Sequence, residues 1–385
     1  MKMNESPDPR FVSPSSRLEK PTAGLDFVLA APAHLARGWW TWVNLGKIGL
    51  FVASLYLFVL AITLMKEGAG GLAPLTRTLA VTSPANSLGF GWLFAYTIMS
   101  GSPVAAAALT FFDAGVLDRL GAFAMITGSR LGASFIVLLV GFVSYLRGRQ
   151  RVASISIGVL ALLTTATIYL PATALGYLIL VNGWFDDVRF GAPTALASAI
   201  DVVYDPIVHL LVSLLPGWLL FFAGLGILLL AFNIFDRALP EISPESSGFQ
   251  RVSDLVYRPW VMFIIGMAVT AVTLSVSVSL TILVPLSARG YVRRENLIPY
   301  MMGANITTFI DTLLAALLLN TPRAFTIVFT EMTSVALLSL LALFINYNGY
   351  RRSIEWCLEW IMRDNRRLMV FLAIIFIVPV FLLLI

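Results

Sequence analysis

The sequence predicts an all-α polytopic membrane protein: two inverted repeats, each with a re-entrant helical hairpin, followed by a C-terminal transmembrane helix. Three observations predict it. The 385 residues are 58% hydrophobic and 12% charged, whereas soluble domains carry about a quarter charged residues. Several apolar stretches, among them Leu45–Met65, Val152–Leu170 and Leu368–Ile385, approach or exceed the ~20 residues a helix needs to cross a ~30 Å hydrocarbon core. Two apolar blocks are broken at their centres by polar residues, Ser100-Gly101-Ser102-Pro103 and Ser275-Val276-Ser277-Val278-Ser279. Runs such as Leu219–Ala231 are apolar on every face, while barrel strands alternate, so the spans are helical.

The order of elements follows from the charge of the polar interruptions, with basic ones taken as cytoplasmic. Residues 1–44 read as a cytoplasmic tail rich in Pro and Ser, carrying Arg10, Arg17, Lys20 and Arg37. Repeat 1 covers 45–182. Ile48–Met65 crosses outward, and the cluster Arg147, Arg149 and Arg151 returns the chain to the inside. Between them an odd number of crossings is required, yet two apolar blocks lie there, Leu88–Phe112 and Leu120–Tyr145. The first is the hairpin, because its Gly and Pro cannot continue a regular helix. Irregular backbone at that depth is tolerated only around a cavity or inside protein, which points to a site.

An external loop at 183–205 holds Asp186, Asp187, Asp201 and Asp205. Repeat 2 covers 206–346. Pro206–Phe235 crosses inward, and Trp260–Leu286 is flanked on both sides by arginines, so it too returns to its own side. Leu297–Leu319 goes out and Ala324–Ile345 comes in. The segment 347–367 alternates Ile354, Trp356, Trp360 and Ile361 with charges, the pattern of a helix lying on the inner surface. Residues 368–385 form the last crossing. The tally is seven full spans and two opposed hairpins, and the basic clusters put the N-terminus in the cytoplasm of a plasma membrane, with a bacterial inner membrane expected.

The two halves share a register. The interval from Ser100 to Gly115 equals that from Ser275 to Gly290, and the interval from Gly115 to Gly128 equals that from Gly290 to Gly303. Gly128-Ser129-Arg130 then lies over Gly303-Ala304-Asn305, each expected to open a helix after a hairpin. Repeats of this kind occur in transporters with sites at mid-membrane.

Composition excludes other classes. The formal charge of +5 is spread in short clusters between spans, which fits membrane anchoring and not nucleic-acid binding. Cys357 is the single cysteine, so neither an intramolecular disulfide nor a cysteine metal cage can form. His34 and His209 have no partner spaced for a metal, and Lys66 is the last lysine, so no serine–lysine pair exists within the later spans. No enzyme is expected and no cofactor beyond a coupling ion; the partners are the lipid bilayer and a small solute, with a homodimer left open.

Ionisable residues inside spans cost ~2.5–3.5 kcal/mol on insertion scales and mark function by default. Arg130, Asp311 and Glu331 stand out. Arg130 could be the counter-charge of an anionic substrate and Asp311 a sodium or proton ligand; alternatively the two form a structural ion pair. Ser100, Ser102, Ser275, Ser277 and Ser279 would face one another if the hairpin tips meet; alternatively they bond to their own helix carbonyls.

The stretch Gly46–Ala105, the segment Met302–Phe325 with Gly-Ala-Asn-Ile-Thr-Thr followed by Asn320 and Arg323-Ala324, and the repeat spacing resemble the sodium/phosphate cotransporter family over most of residues 46–345. That family carries Gln-Ser-Ser-Ser in each repeat and Gly-Ala-Asn-Ile-Gly-Thr-Thr after it. Here Ser100 and Ser275 stand at the glutamine positions, Ser102 and Ser277 keep the serine run, and Arg130 stands at the repeat-1 asparagine position. The resemblance implies sodium-coupled uptake of an inorganic anion, phosphate by default. It implies a substrate site of Ser100, Gly101, Ser102, Arg130, Ser275, Ser277 and Asn305, and a sodium site of Ser279, Thr307, Thr308 and Asp311. The alternative is a non-transporting scaffold or channel with the same fold; a membrane-embedded enzyme ranks behind both.

Overall fold

A computed structural model describes residues 45–74, 83–146, 153–188, 190–191, 193–239, 258–276, 279–280, 294–319 and 321–385. The chain divides into two units, 1–48 and 49–385. Of the first only the opening of helix α1 is described; the second holds every other element. Ser277, Asn320, the cluster 147–151, the whole tail 1–44 and the later part of the second expected hairpin lie outside the described residues.

Thirteen α-helices and no strand occur among the described residues. They are α1 (Leu45–Ala69), α2 (Pro84–Ile98), α3 (Ser102–Asp113), α4 (Arg119–Leu146), α5 (Ala153–Asn182), α6 (Thr194–Leu214), α7 (Gly217–Ala238), α8 (Pro259–Thr273), α9 (Arg294–Thr307), α10 (Phe309–Leu318), α11 (Pro322–Phe344), α12 (Tyr347–Met362) and α13 (Asn365–Leu384). Among the described residues, seven stretches are long and apolar enough to cross a membrane: Leu45–Leu72, Arg119–Leu139, Ile155–Asn182, Gly217–Ala238, Asn296–Leu318, Pro322–Phe344 and Asn365–Leu384. They fall on the seven full spans that hydropathy anticipates, and the chain is a polytopic helical membrane protein.

The two blocks with polar centres are broken helices. α2 starts at a capping box, in which Ser83 Oγ accepts from the Asn86 amide (3.2 Å) and Asn86 Oδ1 accepts from the Ser83 amide (3.2 Å), with Pro84 at the first helical position. It ends at Met99, whose φ of 59° is left-handed. α8 starts with Pro259 and ends at Leu274, φ 49°, also left-handed. A left-handed residue with a side chain costs roughly 1–2 kcal/mol, and both breaks carry one. At 15 and 12 residues, α2 and α3 extend roughly 22 and 18 Å, too short to cross a hydrocarbon core singly.

The broken helices dock in the same way. α2 packs on α4 and α8 packs on α9. A methyl group at Gly91 would fall on the Met125 carbonyl, and one at Gly128 on the Leu88 carbonyl. In the second pair Gly266 meets the Tyr300 carbonyl and Gly303 the Phe263 carbonyl. One constant offset along the chain relates all four contacts: the step from Gly91 to Gly266 is the same as that from Met125 to Tyr300, from Gly128 to Gly303 and from Leu88 to Phe263. Such backbone-to-backbone approach is what small residues permit between membrane helices.

α3 forms the centre. Val104, Ala105, Ala106, Ala107, Ala108 and Leu109 are all buried, because α3 touches α2, α4, α7, α10 and α11. Side chains as small as alanine let that many neighbours converge. At its far end Lys66 Nζ lies 3.4 Å from Asp113 Oδ2 and donates to the Leu319 carbonyl at 3.2 Å, while the Thr321 hydroxyl donates to Asp113.

Three expectations need correction. Gly128 and Gly303 do not open helices: each lies well inside one, α4 and α9, because a Gly-Ser-Ala cluster between membrane helices marks close packing rather than a start. Arg130 is accordingly mid-helix. The crossing expected at Pro206–Phe235 begins at Gly217, and 194–205, read as loop from its aspartates, is the first half of α6. Asp201 and Asp205 are exposed there on one helix face, and α6 stops at Leu215-Pro216, where the proline cannot continue it. Finally, the crossing at Leu297–Leu319 falls on the apolar stretch Asn296–Leu318, but its helix is interrupted at the single residue Thr308, between α9 and α10.

Candidate functional site

The two breaks meet. A small polar cavity of about 20 Å³, room for one water-sized occupant, is lined from the first break by Ser100, Gly101 and Ser102 and from the second by Ser275 and Val276. Arg130, Ala133 and Ser134 of α4, Tyr169 of α5, and Asn305 and Thr308 beside the α9–α10 break complete the wall. Gly101 precedes α3, so the first turn of that helix, with its unpaired N–H groups and positive dipole end, opens at this cavity.

Arg130 is the charged centre. It is 4% exposed, and its guanidinium donates to Ser102 Oγ (3.3 Å), Thr308 Oγ1 (3.2 Å), Asp311 Oδ1 (3.4 Å) and the Thr312 hydroxyl. The Phe309 ring lies 5.0 Å from its Cζ, a cation–π contact. Asp311 is 3% exposed; its Oδ1 also accepts from Thr312 Oγ1 at 2.8 Å, and its Oδ2 has no hydrogen-bond partner among the described residues. The ion pair weighed from sequence is therefore present, and it sits at the edge of the cavity, so the two readings of Arg130 share one geometry.

Of the residues named for a substrate site, Ser100, Gly101, Ser102, Arg130, Ser275 and Asn305 share this cavity; Ser277 lies outside the described residues. Asn305 is held by its Nδ2 donating to Thr165 Oγ1 (3.2 Å), and its carbonyl accepts from the Tyr169 hydroxyl (2.9 Å). The residues named for sodium do not all converge. Thr308 and Asp311 meet on Arg130, whereas the Thr307 hydroxyl donates to its own helix at Gly303 (3.4 Å). Ser279 belongs to a separate cluster, its hydroxyl accepting from Thr270 (2.8 Å) and bonding Tyr300 (2.8 Å).

Sequence reasoning missed Tyr169, Thr312, Phe309 and Thr165. Thr312 was findable, since it lies one helical turn from Thr308 and next to Asp311, both singled out from the sequence. Tyr169 gave only the weak signal of one hydroxyl in an apolar span.

Two larger cavities flank the site. One of about 280 Å³ is lined by apolar and aromatic groups such as Phe51, Phe58, Phe232 and Leu274, with Asp311 in its wall. The other, about 380 Å³, is lined by Phe112, Arg119, Asp186, Arg323 and Thr326. Arg119 is paired with Asp186 there. This cavity touches α3 at Phe112, near the end of the helix opposite Ser102, and so lies roughly 15 Å along the helix from the central cavity.

Fold and site together define an integral membrane protein with a charged, hydroxyl-lined cavity where two broken helices meet. Set against known proteins, the chain matches no family model, no curated protein and no solved structure.

Proposed function

We propose that this protein is a secondary transporter of the inverted-repeat type, in which each half contributes a re-entrant broken helix, and that it takes up an inorganic anion, phosphate by default, together with sodium across a bacterial inner membrane with its N-terminus in the cytoplasm. The observation that carries this reading is the Arg130 guanidinium at the rim of a cavity whose other walls are hydroxyls and backbone from both breaks. A desolvated oxyanion needs a fixed positive charge and N–H or O–H donors in place of water. Arg130, Ser102 and the first turn of α3 offer these. The constant offset between the two docked pairs supports the repeat.

The Arg130–Asp311 pair supplies a coupling rule. An anion drawn onto Arg130 frees Asp311, and the freed carboxylate, with Thr308 beside it, becomes a ligand for sodium. Neither charge is then left alone in a medium where an unpaired ion costs several kcal/mol. The cavity of about 20 Å³ admits an oxyanion only when the two tips move apart. The cavity lined by Arg119, Asp186 and Arg323 gives an approach at the other end of α3 in which Arg323 adds a positive charge to the Arg119–Asp186 pair.

A second reading, a non-transporting scaffold, is favoured by one observation: Arg130 is already satisfied by Asp311, Thr308, Thr312 and Ser102. Thermal unfolding of the purified protein with phosphate, sulfate, nitrate or chloride, each with and without sodium, separates the two. Transport predicts that one oxyanion raises Tm and that sodium enlarges the rise. No response to any anion supports the scaffold.

A further inference from the structure

Glu331 lies in the middle of α11 and is 2% exposed, and neither of its carboxylate oxygens has a hydrogen-bond partner among the described residues. Its electrostatic neighbours are Thr127 and Arg130 of α4. Arg130 is committed to Asp311 by a direct contact, so no counter-ion touches Glu331 among the described residues. A bare carboxylate there would bear the full cost of a buried, unpaired charge. A neutral carboxylic acid needs only one acceptor for its O–H.

One neighbouring hydroxyl suits that need. Thr127 lies against Glu331, and its Oγ1 donates to the Phe123 carbonyl (3.2 Å). With its proton on that carbonyl it offers a lone pair to a carboxylic acid O–H; rotated, the same hydroxyl can donate to a carboxylate, so Thr127 can serve either protonation state of Glu331.

Five titratable groups on helices packed against α11 have partners or fields of their own. Asp113 on α3 is held by Lys66 and Thr321, Tyr300 on α9 bonds Ser279, and Tyr350 on α12 bonds Thr167 (2.8 Å). Asp311 on α10 is held by Arg130, and Tyr169 on α5 feels Arg130, Glu331 and Asp311 together. Glu331 is thus linked to the central cavity through Arg130 and Tyr169, both of which line it.

We propose that Glu331 is a proton-binding site, a buried acid that takes up and releases one proton in step with the occupancy of the Arg130 cavity. The linkage to occupancy rests on the anion reading of Arg130; the proton site does not. An anion on Arg130 offsets the positive field of Arg130 on Glu331, so proton and anion reinforce each other's binding, and by linkage the reinforcement is reciprocal. The coupling ion would then include a proton beside or in place of sodium.

The test is an infrared pH titration of the protonated-carboxyl C=O band in purified full-length protein in lipid nanodiscs. The band should titrate in the wild type, vanish in Glu331→Gln and persist in Asp311→Asn. Thr127→Val, which keeps Glu331 in place, should shift its midpoint and serves if Glu331→Gln fails to fold. A wild-type band that never changes with pH, or one that survives unchanged in Glu331→Gln, overturns the proposal. So does a site that responds to sodium while showing no protonated carboxyl at any pH. Adding inorganic phosphate at fixed pH should strengthen the band in the wild type but not in Arg130→Gln/Asp311→Asn. An intact Glu331 titration that phosphate does not touch refutes the anion reading of Arg130 and leaves the proton site standing.

Discussion

The two halves of the molecule use one packing scheme and two different polar interiors. Gly91 and Gly266, Gly128 and Gly303, and the left-handed Met99 and Leu274 are equivalent pairs, all related by the same offset along the chain. At that offset Arg130 faces the cavity from the first half and Asn305 from the second. The environments of these two have diverged. The charged and hydroxyl partners of Arg130 from the second half are Thr308, Asp311 and Thr312, and their first-half equivalents are Ala133, Ile136 and Val137. Glu331 likewise stands opposite Ser156. At these two glycine pairs the backbone contact is kept in both halves, whereas at Gly132, which meets the Trp92 carbonyl, the second half has Thr307; the polar interior places its positive charge in one half and its negative charges in the other.

The comparison is broken most strongly by giving the second half its own arginine. Asn305→Arg would bury a second positive charge in the wall that already holds Arg130, and the fold should lose about 3–5 kcal/mol, read from chemical or thermal unfolding in detergent. Arg130→Gln should be comparable, because it strands Asp311. Here the second substitution decides the cause: Arg130→Gln/Asp311→Asn should recover most of the loss if the ion pair is its source. A double variant no more stable than the single would mean that the bonds to Ser102, Thr308 and Thr312 dominate.

These residues also mark how far the sequence could be read. Span number and position were legible, because so long an apolar run admits few other structures. The paired breaks were legible from serine-rich centres and shared spacing. Helix boundaries around Gly128 and Gly303 were not, since glycine signals both the end of a helix and a close contact inside one. The start of α6 was hidden for a similar reason: its aspartates read as loop, yet an exposed face of a helix also takes them. The separation of Ser279 from Asp311 depends on which way each helix face turns, and hydropathy carries no such information.

A sharper test of the shared packing is Gly128→Ala against Gly303→Ala. Each methyl meets a carbonyl, so both should destabilise by about 1–3 kcal/mol, and by similar amounts. Unequal losses in parallel melts would show that the two dockings are not equivalent. The smallest effect is expected at the breaks, where Met99→Gly and Leu274→Gly relieve left-handed strain but loosen the unfolded chain, leaving each within about 1 kcal/mol of the parent.

The central claim is that Arg130 holds an anion at the meeting of the two breaks. Its most direct measurement is uptake of radiolabelled phosphate into proteoliposomes under an inward sodium gradient, comparing wild type with Arg130→Gln and with Arg130→Gln/Asp311→Asn, the variant expected to keep the fold while removing both charges of the pair. Gradient-driven uptake is expected from the wild type and none from either variant. Equal uptake by all three, or none by any of them in protein shown to be folded, would contradict the claim.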